Sequence, residues 1–216
     1  MLQVESIIIH PVYFGNIAHY VAMAQAKLVV FEVEDNYQKQ TFRNRTYIAT
    51  ANGILLLNIP IKHISKGLRG SRDKMHQKYK EVRIENDFKW QKEHWKSIQI
   101  AYRSSPYFEY YEEDIAPLFE KKQTFLLDFN LECFAVIADL LALEITLEKT
   151  TTYELEVSNK QDFRHLVKTK EMQTFAFDSY RQVLQKESSF LPNLSILDVL
   201  FNEGTRALSY LEKQKL

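Results

Sequence analysis

Residues 4–34, VESIIIHPVYFGNIAHYVAMAQAKLVVFEVE, constrain the fold more than any other stretch of the chain. The run VESIII is short, rich in β-branched residues and stopped by Pro11, which predicts a buried strand. In NIAHYVAMAQA, Ile17, Val21 and Ala24 share one helical face, and Asn16 stands where an N-cap is needed. KLVVFEVE reads as a second apolar strand. Strand, helix and strand in about thirty residues form a βαβ unit, which implies parallel pairing and a right-handed crossover.

Downstream, RTYIAT and ILLLNIPI flank Asn52-Gly53, the strongest short-range signal for a hairpin. The parallel start therefore passes into an antiparallel part. The fold class is α/β (mixed α+β), with a βαβ start, a mixed sheet, a β-hairpin and a helical C-terminal half. A length of 216 residues suits a single domain over 1–216, with 1–85 forming sheet and 86–216 mainly helical. Residues 62–83 carry eight Lys/Arg against Asp73 and Glu81, and hold two of the five glycines. They predict a mobile basic loop leading to a short strand near EVRIE. Beyond it, Phe88, Trp95, Ile98 and Tyr102 fall at helical spacing and predict a core-facing stripe. A short acidic helix follows, with Glu112, Glu113 and Asp114 at a solvated start that complements the helix dipole. TFLLDFNLECFAVIADLLAL is apolar almost all round and predicts the most buried helix. ITLEKTTTYELEV predicts a strand and DSYRQVLQK a helix. LPNLSILDVLF predicts another helix, with Asn193 as N-cap and Gly204 as its stop, and TRALSYLEKQ closes the chain.

Composition excludes several function classes. Lys+Arg and Asp+Glu both number 28, so no global field draws the protein to nucleic acid or anionic lipid. No apolar run reaches the roughly 20 residues of a membrane helix, and no charged start precedes an apolar leader. A cytoplasmic protein with no membrane partner is expected. The lone cysteine, Cys133, sits in an apolar run and reads as a buried small hydrophobe. With so few glycines there is no phosphate-binding loop or dinucleotide fingerprint, and no Gly-x-Ser-x-Gly elbow occurs. Cys-x-x-Cys and His-Glu-x-x-His are also missing, so neither a metal nor a cofactor is expected.

Three stretches carry chemistry-bearing residues. At the first strand-to-helix turn stand His10 and Tyr13, with His19 further along the helix. Ligands of α/β sheets bind beyond the carboxyl ends of strands, and histidine moves protons near neutral pH. His10 and His19 are the candidate catalytic residues. The plainer reading is a structural His10 packed by aromatics and a solvated His19. NYQKQTFRNRTYI supplies Lys39, Arg43, Asn44 and Arg45, donors suited to carboxylate or phosphate, or else an exposed basic edge. Lys62 heads the basic run. WQKEHWKSIQIAYRSSPYFEYY is dense in aromatics, with His94 and Lys96 its polar members. Tyr107 and its neighbours could stack on a sugar or base, or simply fill the core.

HPVYFGNIAHY, NYQKQTFRNRTYI, IPIK, WQKEHWKSIQIAYRSSPYFEYY and FNLECF occur in this order. Together they resemble the WbqC-like family of bacterial proteins, over about residues 6–211. The Asn-Arg pair and the Trp-x-x-x-x-Trp helix followed by Ser-Pro-Tyr-Phe are the specific parts. That resemblance implies surface-polysaccharide (O-antigen) biosynthesis, and a glycine transferase acting on an amino sugar has been suggested for some members. His10 stands where the family has Gln, and Glu34-Asp35 loosely match its acidic pair after the second strand.

The expected function is a transferase moving an acyl or aminoacyl group, such as glycyl, onto an amino sugar, with a sugar nucleotide as the small-molecule partner. His10 or His19 would accept the amine proton, while Lys39, Arg43 and Arg45 would neutralise a diphosphate. Alternatives are nucleotidyl transfer, for which GNIAHY lacks a Gly-His dipeptide, and a non-enzymatic binder of a partner or single-stranded nucleic acid. Zero net charge argues against the nucleic acid. Aromatic crowding and the acidic 112–114 turn leave self-association open.

Overall fold

In the computed structural model, residues 4–62, 77–169, 175–183 and 190–216 are described. β1 (Val4–Ile9) and β2 (Ala26–Phe31) pair in parallel, from Val4 against Ala26 to Ile9 against Phe31. α1 (Ile17–Ala24) connects them, and the Asn16 side chain accepts from the His19 backbone N–H as its N-cap. β3 (Arg45–Thr50) and β4 (Gly53–Asn58) form the hairpin, closed by Ala51-Asn52. Gly53 takes the turn's positive φ of +105°, which an L side chain adopts only with strain.

The helical part comprises α2 (Trp90–Tyr102), α3 (Phe108–Ile115) and α4 (Leu126–Leu140), then α5 (Ile196–Glu203) and α6 (Ala207–Lys213) near the end. Between these two groups lie two more strands, β5 (Thr146–Lys149) and β6 (Gln161–Asp162). The larger sheet is wholly parallel, in the order β5-β2-β1-β6, and the hairpin stands apart as a two-stranded sheet. The chain steps outward from β1 to β2 to β5, then returns to the other side of β1 as β6. The strand order thus reverses between β1 and β6.

Core packing departs from the periodicity in places. Every residue of α1 is buried, because β1, β2, α5 and α6 all pack around this short helix. α1 is therefore the most buried helix; α4 keeps Asp128 and Ala135 exposed. Along α2 the buried stripe is Trp90, His94, Ile98, Ala101 and Tyr102. Phe88 precedes the first turn and is 64% exposed, so it does not face the core. Glu112, Glu113 and Asp114 lie in the second half of α3, not at its start. EVRIE forms isolated bridges, Ile61 to Ile84 and Arg83 to Phe125, in place of a strand.

Residues 178–183 of the expected DSYRQVLQK helix are not helical, and the remainder lies outside the described residues. Side-chain bonds to the C-terminal helices hold this segment open. The Tyr180 hydroxyl and the Gln182 amide both donate to Asp198, and the Asp178 N–H donates to Gln214. Asn193 is not the cap of α5; Ser195 is. The Asn193 backbone turns to φ +57°, and its Oδ1 accepts from the Ala18 N–H of α1, 2.9 Å away. Gly204 does end α5, at φ +54°, and Cys133 is buried as expected. The centre of the expected mobile loop, residues 63–76, lies outside the described residues.

Candidate functional site

The carboxyl ends of the parallel strands bring four segments to one edge of the sheet. His10 follows β1, Glu32 to Asp35 follow β2, Thr150 and Tyr153 follow β5, and Asp162 ends β6 just before Arg164. The reversal of strand order between β1 and β6 opens a crevice there, the place where open α/β sheets bind ligands. A cavity of about 330 Å3 occupies it, lined by His10, Asp35, Arg43, Tyr153, Asp162 and Arg164 among others.

The crevice is built from two ion-paired units. In the first, Asp35 Oδ2 accepts from His10 Nε2 at 2.9 Å and from Arg43 Nη2 at 2.5 Å. Burial alone would raise the Asp35 pKa, but the His10 hydrogen bond and the Arg43 charge together hold it below the usual carboxylate value. An ionised carboxylate only accepts, so Nε2 carries the imidazole proton in this pair. Burial, aided by the Arg43 charge, lowers His10 to about 4, so the ring is neutral at pH 7. Arg43 is fully buried, with its guanidinium 5.3 Å from the Tyr79 ring centroid. Nε and Nη1 of Arg43 have no partner among the described residues, although buried donors are nearly always bonded. Tyr79 is locked in turn: its hydroxyl donates to the Pro11 carbonyl and accepts from Asn130.

In the second unit, Arg164 donates to both oxygens of Asp162, with Nη2 at 2.6 Å and Nε at 3.0 and 3.1 Å. Its remaining donors reach the Glu154 and Leu155 carbonyls. The Asp162 hydrogen bond raises the Arg164 pKa further. Tyr153, 44% exposed, lies with its ring 5.4 Å from the Arg164 guanidinium carbon and presents an aromatic surface at the crevice lip. Glu32 is buried behind it. Burial raises its pKa despite bonds from the Glu34 N–H and the Thr150 hydroxyl.

Of the expected residues, His10 and Arg43 meet at this crevice. His19 does not line it. His19 is 1% exposed, its Nδ1 is 2.7 Å from Asn16 Oδ1, and burial lowers it to about 3, so it is not solvated either. Tyr13 and His94 bond each other inside the core, Oη to Nδ1 at 2.9 Å, with Trp90 edge-on to the imidazole. Burial lowers His94 to about 4.

Lys39, Asn44 and Arg45 line a different groove, of about 520 Å3, together with Tyr37 and Phe88. Asn44 there is tied to Asn58 and to the Ile59 carbonyl, and Arg45 Nε also reaches Asn58. Lys62 is nearby, 3.9 Å from Glu85. Lys96 is exposed on α2, away from both hollows. Tyr107 covers Gly204, where any Cβ would collide with its ring. The aromatic run at 90–111 is thus mainly core, with Trp90, Tyr102 and Phe108 all buried.

Asp162, Arg164 and Tyr153 have no motif in the sequence; only the pairing of β6 beside β1 brings them to His10. Asp35 carried a faint signal, as the second member of the acidic pair. Among the described residues no three His, Cys, Asp or Glu side chains stand close enough to hold a metal ion, and no helix is long and apolar enough to cross a membrane.

The WbqC-like protein family matches residues 10–175 and, in a second overlapping match, 156–210. The chain belongs to the WbqC-like family. This WbqC-like chain is also similar to Rv1507c of Mycobacterium tuberculosis (strain ATCC 25618 / H37Rv), described as an uncharacterised protein. The two are 25% identical over 201 residues, covering 81% of this chain and 83% of the relative. No solved structure matches this WbqC-like chain. The family match spans the His10, Asp35, Arg43, Asp162 and Arg164 positions of the crevice.

Proposed function

We propose that this WbqC-like protein binds an amino sugar in the crevice between β1 and β6 and transfers an acyl or aminoacyl group to its amine. The observation that carries the reading is the His10–Asp35–Arg43 chain at the reversal of strand order. Paired carboxylates and guanidiniums offer donors and acceptors in alternation, which suits sugar hydroxyls, and the Tyr153 ring gives the sugar's apolar face a surface to lie on. The surface-polysaccharide context comes from the family resemblance.

In the proposed step the sugar nitrogen attacks the carbonyl carbon of an activated ester or thioester donor. A C–N bond forms, and the C–O or C–S bond to the leaving group breaks. His10, oriented through Nε2 by Asp35, relays the amine proton to the departing oxygen or sulfur, its Nδ1, buried and without a partner among the described residues, becoming the acceptor as the substrate enters. Its lowered pKa makes it a weak base for a free ammonium ion. It suits the far more acidic ammonium of a tetrahedral adduct.

The test is a thermal-shift and calorimetric titration with UDP- and dTDP-linked amino sugars, followed by mass-spectrometric detection of the amide. Saturable binding is expected in the wild type. Tyr153→Ala should weaken it several-fold without unfolding the protein, because that side chain is half exposed. His10→Gln should retain binding and slow amide formation by about 10²-fold or more. A wild type that binds no amino sugar, linked or free, overturns the reading.

A further inference from the structure

Beside the polar crevice lies a second hollow of opposite character. It is a cavity of about 140 Å3 walled by Phe42, Tyr47, Ile54, Leu166, Phe175 and Leu194. His165 and Lys168 line both hollows, so the apolar one meets the crevice at a shared polar boundary. Interiors pack at crystal-like density, and an apolar void of this size is uncommon. An engineered cavity of about 150 Å3 with similar walls holds a benzene molecule. The walls come from Phe42 and the hairpin, from the helical turn after β6 whose first residue is the crevice's Arg164, from Phe175 and from the segment before α5.

We propose that this cavity seats the apolar body of the acyl group being transferred, a chain of about four to six carbons or a single ring, with its carbonyl at the His165–Lys168 boundary facing the crevice. The inference rests on the transfer reading above and narrows its donor. A glycyl group would leave the apolar walls uncovered and bring its ammonium against them, which is unfavourable. The preferred substrate class is therefore an apolar acyl donor.

The probes are the carboxylic acids themselves: acetate, butyrate, hexanoate, benzoate and glycine, titrated by calorimetry into the whole protein. Affinity should rise about fourfold per added methylene until the cavity is full, benzoate should bind, and glycine should not. Ile54 is 47% exposed at the cavity wall, so changing it should leave the fold intact, which circular dichroism checks. Ile54→Trp should lower benzoate and hexanoate affinity at least tenfold, and Ile54→Ala should shift the optimum to a longer chain. Equal binding of all five acids, or hexanoate binding unchanged by both variants, overturns the inference. Amino-sugar binding, measured separately, distinguishes the two proposals. If sugars bind and apolar acids do not, the apolar seat is refuted and the transfer reading stands. If acids bind through Ile54 and sugars do not, the transfer reading is refuted and with it the assignment of the cavity to a donor.

Discussion

Arg43 has no exposed surface, and Asp35 is the carboxylate that balances its charge. Removing one member of a buried pair strands the other. Asp35→Ala should therefore cost about 3–5 kcal/mol, read as a lowered urea midpoint at constant slope. His10→Gln should cost less than half as much, since it leaves the Asp35–Arg43 pair in place. Placement at the crevice was legible only in part. Histidine at the first strand-to-helix turn signalled His10, and the Asn-Arg segment signalled Arg43. The same logic selected His19, Tyr13 and His94, which share the chemistry but face inward. Residue type says what a side chain can do, whereas the direction of its Cα–Cβ bond depends on helix phase. His94 shows this most simply: it is four residues from Trp90 and four from Ile98, squarely on the buried stripe.

Among the elements, α1 depends most on distant partners. Its N-terminal N–H groups are capped from two directions, by Asn16 to His19 and by Asn193 to Ala18. Asn193→Gly keeps the left-handed backbone and removes only the cap, so it should cost about 1 kcal/mol. Asn193→Ala also strains φ and should cost about 1 kcal/mol more. Thermal melts of the two variants, compared with Asn16→Ala, test this directly. The βαβ unit and the hairpin were readable because their signals are local: β-branched runs, an N-cap and a turn glycine. The 178–183 segment misled because its helical pattern competes with tertiary hydrogen bonds to Asp198 and Gln214. The two-residue β6, which decides where the crevice opens, has no strand signal of its own. It pairs only because Ile7 and Ile8 of β1 offer a ready edge.

At the scale of the whole molecule, three histidines among the described residues are buried in neutral form. His10 and His94 are lowered to about 4 and His19 to about 3, in each case chiefly by burial. Each lies below its unfolded value of 6.5, so the unfolded chain gains protons first as pH falls. Their contribution to stability is complete above pH 6.5 and is lost as pH drops toward 4. Asp198, raised by burial, acts in the opposite sense. Comparing variants separates these effects: wild type should take up about one more proton on unfolding than His19→Asn over this range, measured from urea stability against pH. The Phe14 carbonyl, at a backbone φ of +39°, accepts from the hydroxyls of both Thr46 and Ser195. Ile196 N–H bonds Gly15 and Ile17 N–H bonds Leu194, closing the same clasp. A nascent chain leaving the ribosome cannot complete its first turn until these late residues have emerged. A contact of such long sequence separation forms late and slows folding relative to the local turns and hairpin.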